Sequence, residues 1–142
     1  MIWTEVDPRT RLIAFAPGES FLDGLLKLAA EKQIQAARFT AIGAFSSVTL
    51  GYFDRARKDY QPNTWNEQVE ACSLIGNISL FEGQLKVHCH AVIGTSNGSA
   101  HGGHLLQAIV WPTLEVFLDV LSVPLARTRD PQTGLALFPS AE

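Results

Sequence analysis

The stretch Val87-His88-Cys89-His90-Ala91-Val92-Ile93-Gly94-Thr95-Ser96-Asn97-Gly98-Ser99-Ala100-His101-Gly102-Gly103-His104-Leu105 decides the fold. It reads as a strand, a polar turn and a second strand: an alternating β-prone run, turn formers from Thr95 to Ser99, and a return that carries His104. Residues two apart on a strand leave the same face, so the imidazoles of His88 and His90 project together, with Cβ atoms roughly 6.6 Å apart. The returning strand can bring the ring of His104 to the same point. Three neutral imidazoles with an open fourth position form a zinc site of the catalytic type, although the donors alone admit other divalent metals.

The alternative is that these histidines are independent polar residues on a solvated sheet face. Against it, all four histidines of the chain fall within the 17 residues from His88 to His104. Gly102 and Gly103 fit the metal reading, because a residue without Cβ lets backbone pass close to a bound ion or ligand. His101 should face away from His104, towards solvent or another subunit, with a fourth-ligand role or a place behind a ligand as the alternatives. Cys89 alternates away from His88 and His90 and reads as a core thiol. Glu115, soon after the return, is a candidate to hold an imidazole N–H from behind or to act as a general acid or base, with a plain surface glutamate as the alternative. Asp119, Arg127 and Arg129 are candidates for recognising an anionic ligand.

Outward from this stretch, the chain reads as one α+β domain over residues 1–142: a mostly antiparallel or mixed sheet of about seven strands with one main helix packed on it. Met1 to Pro8 is a loose lead-in, and Arg11 to Ala16 a strand ended by Pro17-Gly18. Glu19 and Ser20 offer capping chemistry to a helix whose apolar face is Phe21, Leu22, Leu25, Leu26, Leu28 and Ala29. Gly24 within it allows close packing on a sheet. Ala36 to Phe45 and Val48 to Phe53 are two strands parted by Ser46-Ser47, with Gly43 and Gly51 marking bends or close neighbours. Asp54 to Asn66 is an exposed hairpin tip that Tyr60 and Trp65 could anchor. Val69 to Phe81 is a strand, as are Leu105 to Trp111, stopped by Pro112, and Leu114 to Val123. Asp130 to Gly134 is a turn before a last short edge strand, Leu135 to Phe138.

The totals agree with a folded domain. The chain is 46% hydrophobic and only 18% charged, below the ~25% usual for globular domains, which suggests that sister subunits cover part of the surface. A net charge of −3 provides no basic field for phosphate backbones and counts against sequence-independent DNA binding. Cys72 and Cys89 make no C-x-x-C and no disulfide framework. No signal-peptide core and no apolar run of membrane-spanning length is present, so the expectation is a cytoplasmic protein. Fingerprints of nucleophilic hydrolases, P-loops and dinucleotide sites are missing, so those readings have no support.

Four collinear segments carry a family resemblance: Ala41-Ile42-Gly43-Ala44-Phe45-Ser46-Ser47-Val48-Thr49-Leu50-Gly51-Tyr52-Phe53-Asp54, Ser73-Leu74-Ile75-Gly76-Asn77-Ile78-Ser79, His88-Cys89-His90 and Gly102-Gly103-His104-Leu105. Together they resemble the PPC ("plants and prokaryotes conserved") domain along nearly the whole chain. The resemblance implies a homotrimeric α+β domain, in some bacterial and archaeal members with a metal held by three histidines, here His88, His90 and His104. His101 falls at a variable position of the motif. In plant relatives the domain follows a basic AT-hook. This sequence contains no R-G-R-P hook, and Glu67-Gln68-Val69-Glu70-Ala71-Cys72 stands where the plant G-R-F-E-I-L motif lies. The histidine pattern is also similar, more distantly, to the zinc site of α-acetolactate decarboxylase. The expectation is a zinc-binding homotrimer whose site takes a small anionic ligand. The alternatives are a DNA-binding or regulatory module, a metal-dependent lyase-like enzyme, and a metal that only stabilises the fold.

Overall fold

Alternation of buried and exposed residues runs through most of the chain, and strands dominate it accordingly. The computed structural model describes residues 1–139. In chain order they form β1 (Ile2–Glu5), β2 (Thr10–Phe15), α1 (Phe21–Glu31), β3 (Ala37–Asp54), β4 (Asp59–Trp65), β5 (Val69–Phe81), β6 (Gln84–Gly94), β7 (Ala100–Val120), β8 (Ala126–Arg129) and β9 (Ala136–Leu137). The α+β reading with one helix holds, but the described residues contain nine strands where about seven were expected. All pairings are antiparallel except that of β8 with β5, which is parallel.

The strand pairings close on themselves: β3 pairs with β5, β5 with β6, β6 with β7, and β7 returns to β3. The inner face of this circuit holds the core, where Phe39, Leu74, Ile78, Ile93, Val110 and Leu118 are at most 2% exposed. Helix α1 contributes Phe21, Leu25, Leu28 and Ala29 to the same core. Each large side chain among them contributes about 1.5–3 kcal/mol through burial. Gly24 serves the close packing expected of it, since a Cβ there would lie 2.8 Å from the ring of Phe15 on β2. Ser20 stands at the helix N-cap, but its hydroxyl donates to Asp23 Oδ2 at 2.7 Å and caps no backbone N–H.

Four of the differences from the sequence reading have a clear physical reason. The two segments parted by Ser46-Ser47 are one strand, β3, which absorbs its bends in register shifts against β7. Pro112 does not stop β7. It falls in the gap between the pairs Phe45↔Val110 and Gly43↔Leu114, where the ladder demands no N–H from it. The lead-in forms β1, held edge to edge on β2 from Ile2↔Ala14 to Glu5↔Arg11. Most of the supposed tip between Asp54 and Asn66 is β4, paired with β3 from Val48↔Trp65 to Asp54↔Asp59. Pro62 is tolerated there because β4 pairs on one side alone. Among the described residues, no helix is long and apolar enough to cross a membrane.

Candidate metal centre

Strand β6 presents two faces. Cys89, Ala91 and Ile93 enter the core, whereas Lys86, His88 and His90 leave by the opposite face. Strand β7 lies beside it with His104 paired to His90, so the two side chains stand on the same face of neighbouring strands. His88, two residues before His90, is the diagonal neighbour of His104, within reach of a long side chain. The register therefore converges all three rings, with centroids 5.2 Å apart for His88–His90, 5.2 Å for His88–His104 and 5.3 Å for His90–His104. One donor nitrogen from each ring lies within 4.8 Å of the others. Zinc–nitrogen bonds of about 2.05 Å in a tetrahedron need about 3.4 Å between donors, so modest side-chain rotation closes the set.

His104 is held by an aromatic stack. The ring of Tyr60 on β4 stacks on it at 4.5 Å and 19°. Space for that stack comes from Gly51, where a Cβ would meet the Tyr60 ring at 2.8 Å. Gly103 likewise serves close approach, but of strand to strand: its missing Cβ would sit 3.0 Å from the Gly51 carbonyl oxygen. At Gly102 a Cβ would meet nothing nearer than 3.6 Å. Burial first, then the charges of His88, His90 and Lys86, pushes His104 down to about 4. His88 is lowered as well, by burial and then by Arg127. Both are therefore neutral near pH 7, the protonation state a metal ligand needs. His104 Nδ1 is buried without a hydrogen-bond partner. An unpartnered ring nitrogen among neutral imidazoles is chemistry that suits a borderline divalent cation.

Of the anion-recognition candidates, Arg127 alone stands beside the histidines. Its Nε donates to Ser79 Oγ at 2.9 Å, Nη1 to the Ala136 carbonyl at 3.0 Å and Nη2 to Asn77 Oδ1 at 2.9 Å. Nη2 also lies 3.3 Å from His88 Nδ1. With its donors turned to these neutral acceptors, Arg127 is a buried strut that ties the β8–β9 hairpin to the wall behind His88. Asp119 pairs with Arg38, and Arg129 with Glu82, both on the surface. His101 faces away from the cluster, exposed, its ring 4.9 Å from that of Trp65. Glu115 is exposed further along β7 and lines a separate hollow with Ile42 and Trp111. Cys89 is the core thiol expected, raised by burial to about 12.

The hollow over the three rings has a volume of about 260 Å³. Besides the histidines, Tyr60 and Lys86 border it, and Leu135, Ala136 and Leu137 close it on one side. Sequence reading missed Lys86, although its spacing of two from His88 signals the shared face. It also missed the cover formed by Leu135–Leu137, for which the chain order holds no sign.

Comparison with known proteins bears on these features. The model of the Plants and Prokaryotes Conserved (PCC) domain, the family abbreviated PPC above, matches residues 5–122. No curated protein matches the chain. Among solved structures, a candidate DNA-binding protein from Bacteroides thetaiotaomicron is 30% identical, with a TM-score of 0.92 over 97% of this chain and 96% of its own. A protein from Archaeoglobus fulgidus named as metal-containing is 33% identical, with a TM-score of 0.86 over 99% of each chain. The α-acetolactate decarboxylase of Bacillus subtilis is 11% identical, with a TM-score of 0.57 over 88% of this chain and 58% of its own, a likeness of fold alone.

Proposed function

Because the chain belongs to the Plants and Prokaryotes Conserved (PCC) domain family, we propose that it is a metal-binding member, holding zinc on His88, His90 and His104 and leaving one coordination position to a small anionic ligand. The observation that carries this reading is the convergence of three imidazole donors within 4.8 Å at the floor of a hollow. The metal-containing relative from Archaeoglobus fulgidus supports it. Bound zinc would supply Lewis acidity at the free position. The protein's own part is to keep His104 neutral by burial, to fix its plane with Tyr60, and to set Lys86 at the rim.

The same reading takes the protein as a cytoplasmic homotrimer. In support, Ile42, Ile75 and Phe117 stand 60%, 64% and 50% exposed on the outer sheet face, a concentration of apolar surface suited to burial against sister copies. Glu115 adjoins Ile42 and Phe117, apart from the histidine hollow of its own subunit.

The test is elemental analysis of protein purified without added metal, followed by chelator treatment and zinc titration by calorimetry. About one zinc per chain, lost on chelation and rebound, is the expected result. Protein that neither carries nor rebinds a divalent metal would remove the reading. A second reading, DNA binding, draws on the name of the Bacteroides thetaiotaomicron relative. It requires retention on duplex DNA that falls steeply with added salt.

A further inference from the structure

The walls of the histidine hollow differ sharply in character. One rim carries a single ammonium, that of Lys86, on the same face of β6 as His88 and His90. Hydrocarbon from Leu135, Ala136 and Leu137 also lines the hollow, delivered by the β8–β9 hairpin, which lies beyond the residues that the family model matches. Among the described residues that line the hollow, none is acidic. At the ~30 Å³ that a water molecule occupies, 260 Å³ accommodates on the order of nine heavy atoms.

Resting on the metal reading above, we propose that this hollow selects a small monocarboxylate bearing a short hydrocarbon group, with Lys86 as charge partner of the carboxylate and Leu135 and Leu137 as the wall against which the hydrocarbon packs. A bare oxyanion such as phosphate would leave that wall wet and would bring a second negative charge to a rim with one ammonium. Arg127 does not line the hollow, and its Nε, Nη1 and Nη2 donate to Ser79, the Ala136 carbonyl and Asn77. It instead positions the wall, by holding Ala136 between the two leucines.

Calorimetric titration of the full chain with butyrate, acetate and inorganic phosphate, with and without zinc, tests this. Two additional buried methylenes predict butyrate binding about tenfold tighter than acetate, with phosphate weaker than butyrate. Leu137→Asn, at a position 39% exposed and so tolerant of change, should bring the butyrate-to-acetate ratio close to one. Lys86→Met should weaken both carboxylates about fivefold while leaving zinc affinity in place. Butyrate preference that needs no zinc, yet is lost in both variants, would uphold the selection and overturn the metal reading. Zinc-dependent binding that ignores both substitutions, or phosphate binding tighter than butyrate, would overturn the selection and leave the metal reading standing.

Discussion

His90 on β6 and His104 on β7 occupy one antiparallel register position, each the cross-strand partner of the other. With His88 on the diagonal, the whole donor set depends on that register. A slip of one residue would turn the ring of His104 into the core.

His104→Ala should lower zinc affinity by at least about a hundredfold, because two imidazoles cannot fill a three-histidine site. The fold should persist, since the core lies on the other face. Chelator competition and sedimentation velocity check the two halves. Full metal content in this variant would place the third ligand elsewhere.

Metal-free protein should lose stability on acidification within a defined window. A histidine titrates near about 6.5 in the unfolded chain, and His104 near about 4 when folded. Between those values the unfolded chain binds the extra proton, so stability is fullest above about pH 6.5 and declines towards about pH 4. His88, also lowered, acts in the same direction. Urea midpoints at about pH 7, 5 and 4 in chelator should show the decline, with a shallower one in His104→Gln.

Gly51→Ala and Gly102→Ala should separate cleanly. The first inserts a Cβ 2.8 Å from the Tyr60 ring and should destabilise by about 1–3 kcal/mol while disturbing the stack on His104. At Gly102 the nearest atom is 3.6 Å away, and the change should stay within about 0.5 kcal/mol. Equal urea midpoints for the two variants would contradict this packing.

Alkylation with iodoacetamide near about pH 8 should modify Cys72, which is exposed, and spare Cys89. Burial holds the Cys89 thiol at about 12, leaving almost no thiolate. Peptide mass spectrometry reads the outcome directly.

Arg127→Met should cost about 2–4 kcal/mol, because it strands Ser79, Asn77 and the Ala136 carbonyl without their donor. Release of the β8–β9 hairpin should follow, seen as faster proteolysis after Leu121. Arg127→Lys should rescue poorly, since one ammonium cannot reach three acceptors spread around a planar guanidinium.

Much of this protein was legible in the order of its residues. Strict alternation over His88-Cys89-His90 placed two imidazoles outside and a thiol inside, and the apolar period from Phe21 to Ala29 marked the helix, because both patterns repeat over a few residues. Bends inside long strands were not legible. Ser46-Ser47 and Pro112 look like ends in one dimension, and only the partner strand reveals that no ladder bond is needed there. The same limit applies to the site. Local pattern nominated His104, but the stack of Tyr60, the strut of Arg127 and the cover of Leu135–Leu137 come from segments far away in the chain. Their meeting depends on the closure of β3, β5, β6 and β7 and on the docking of β8 along β5, and such long-range pairings leave no periodic trace in the sequence.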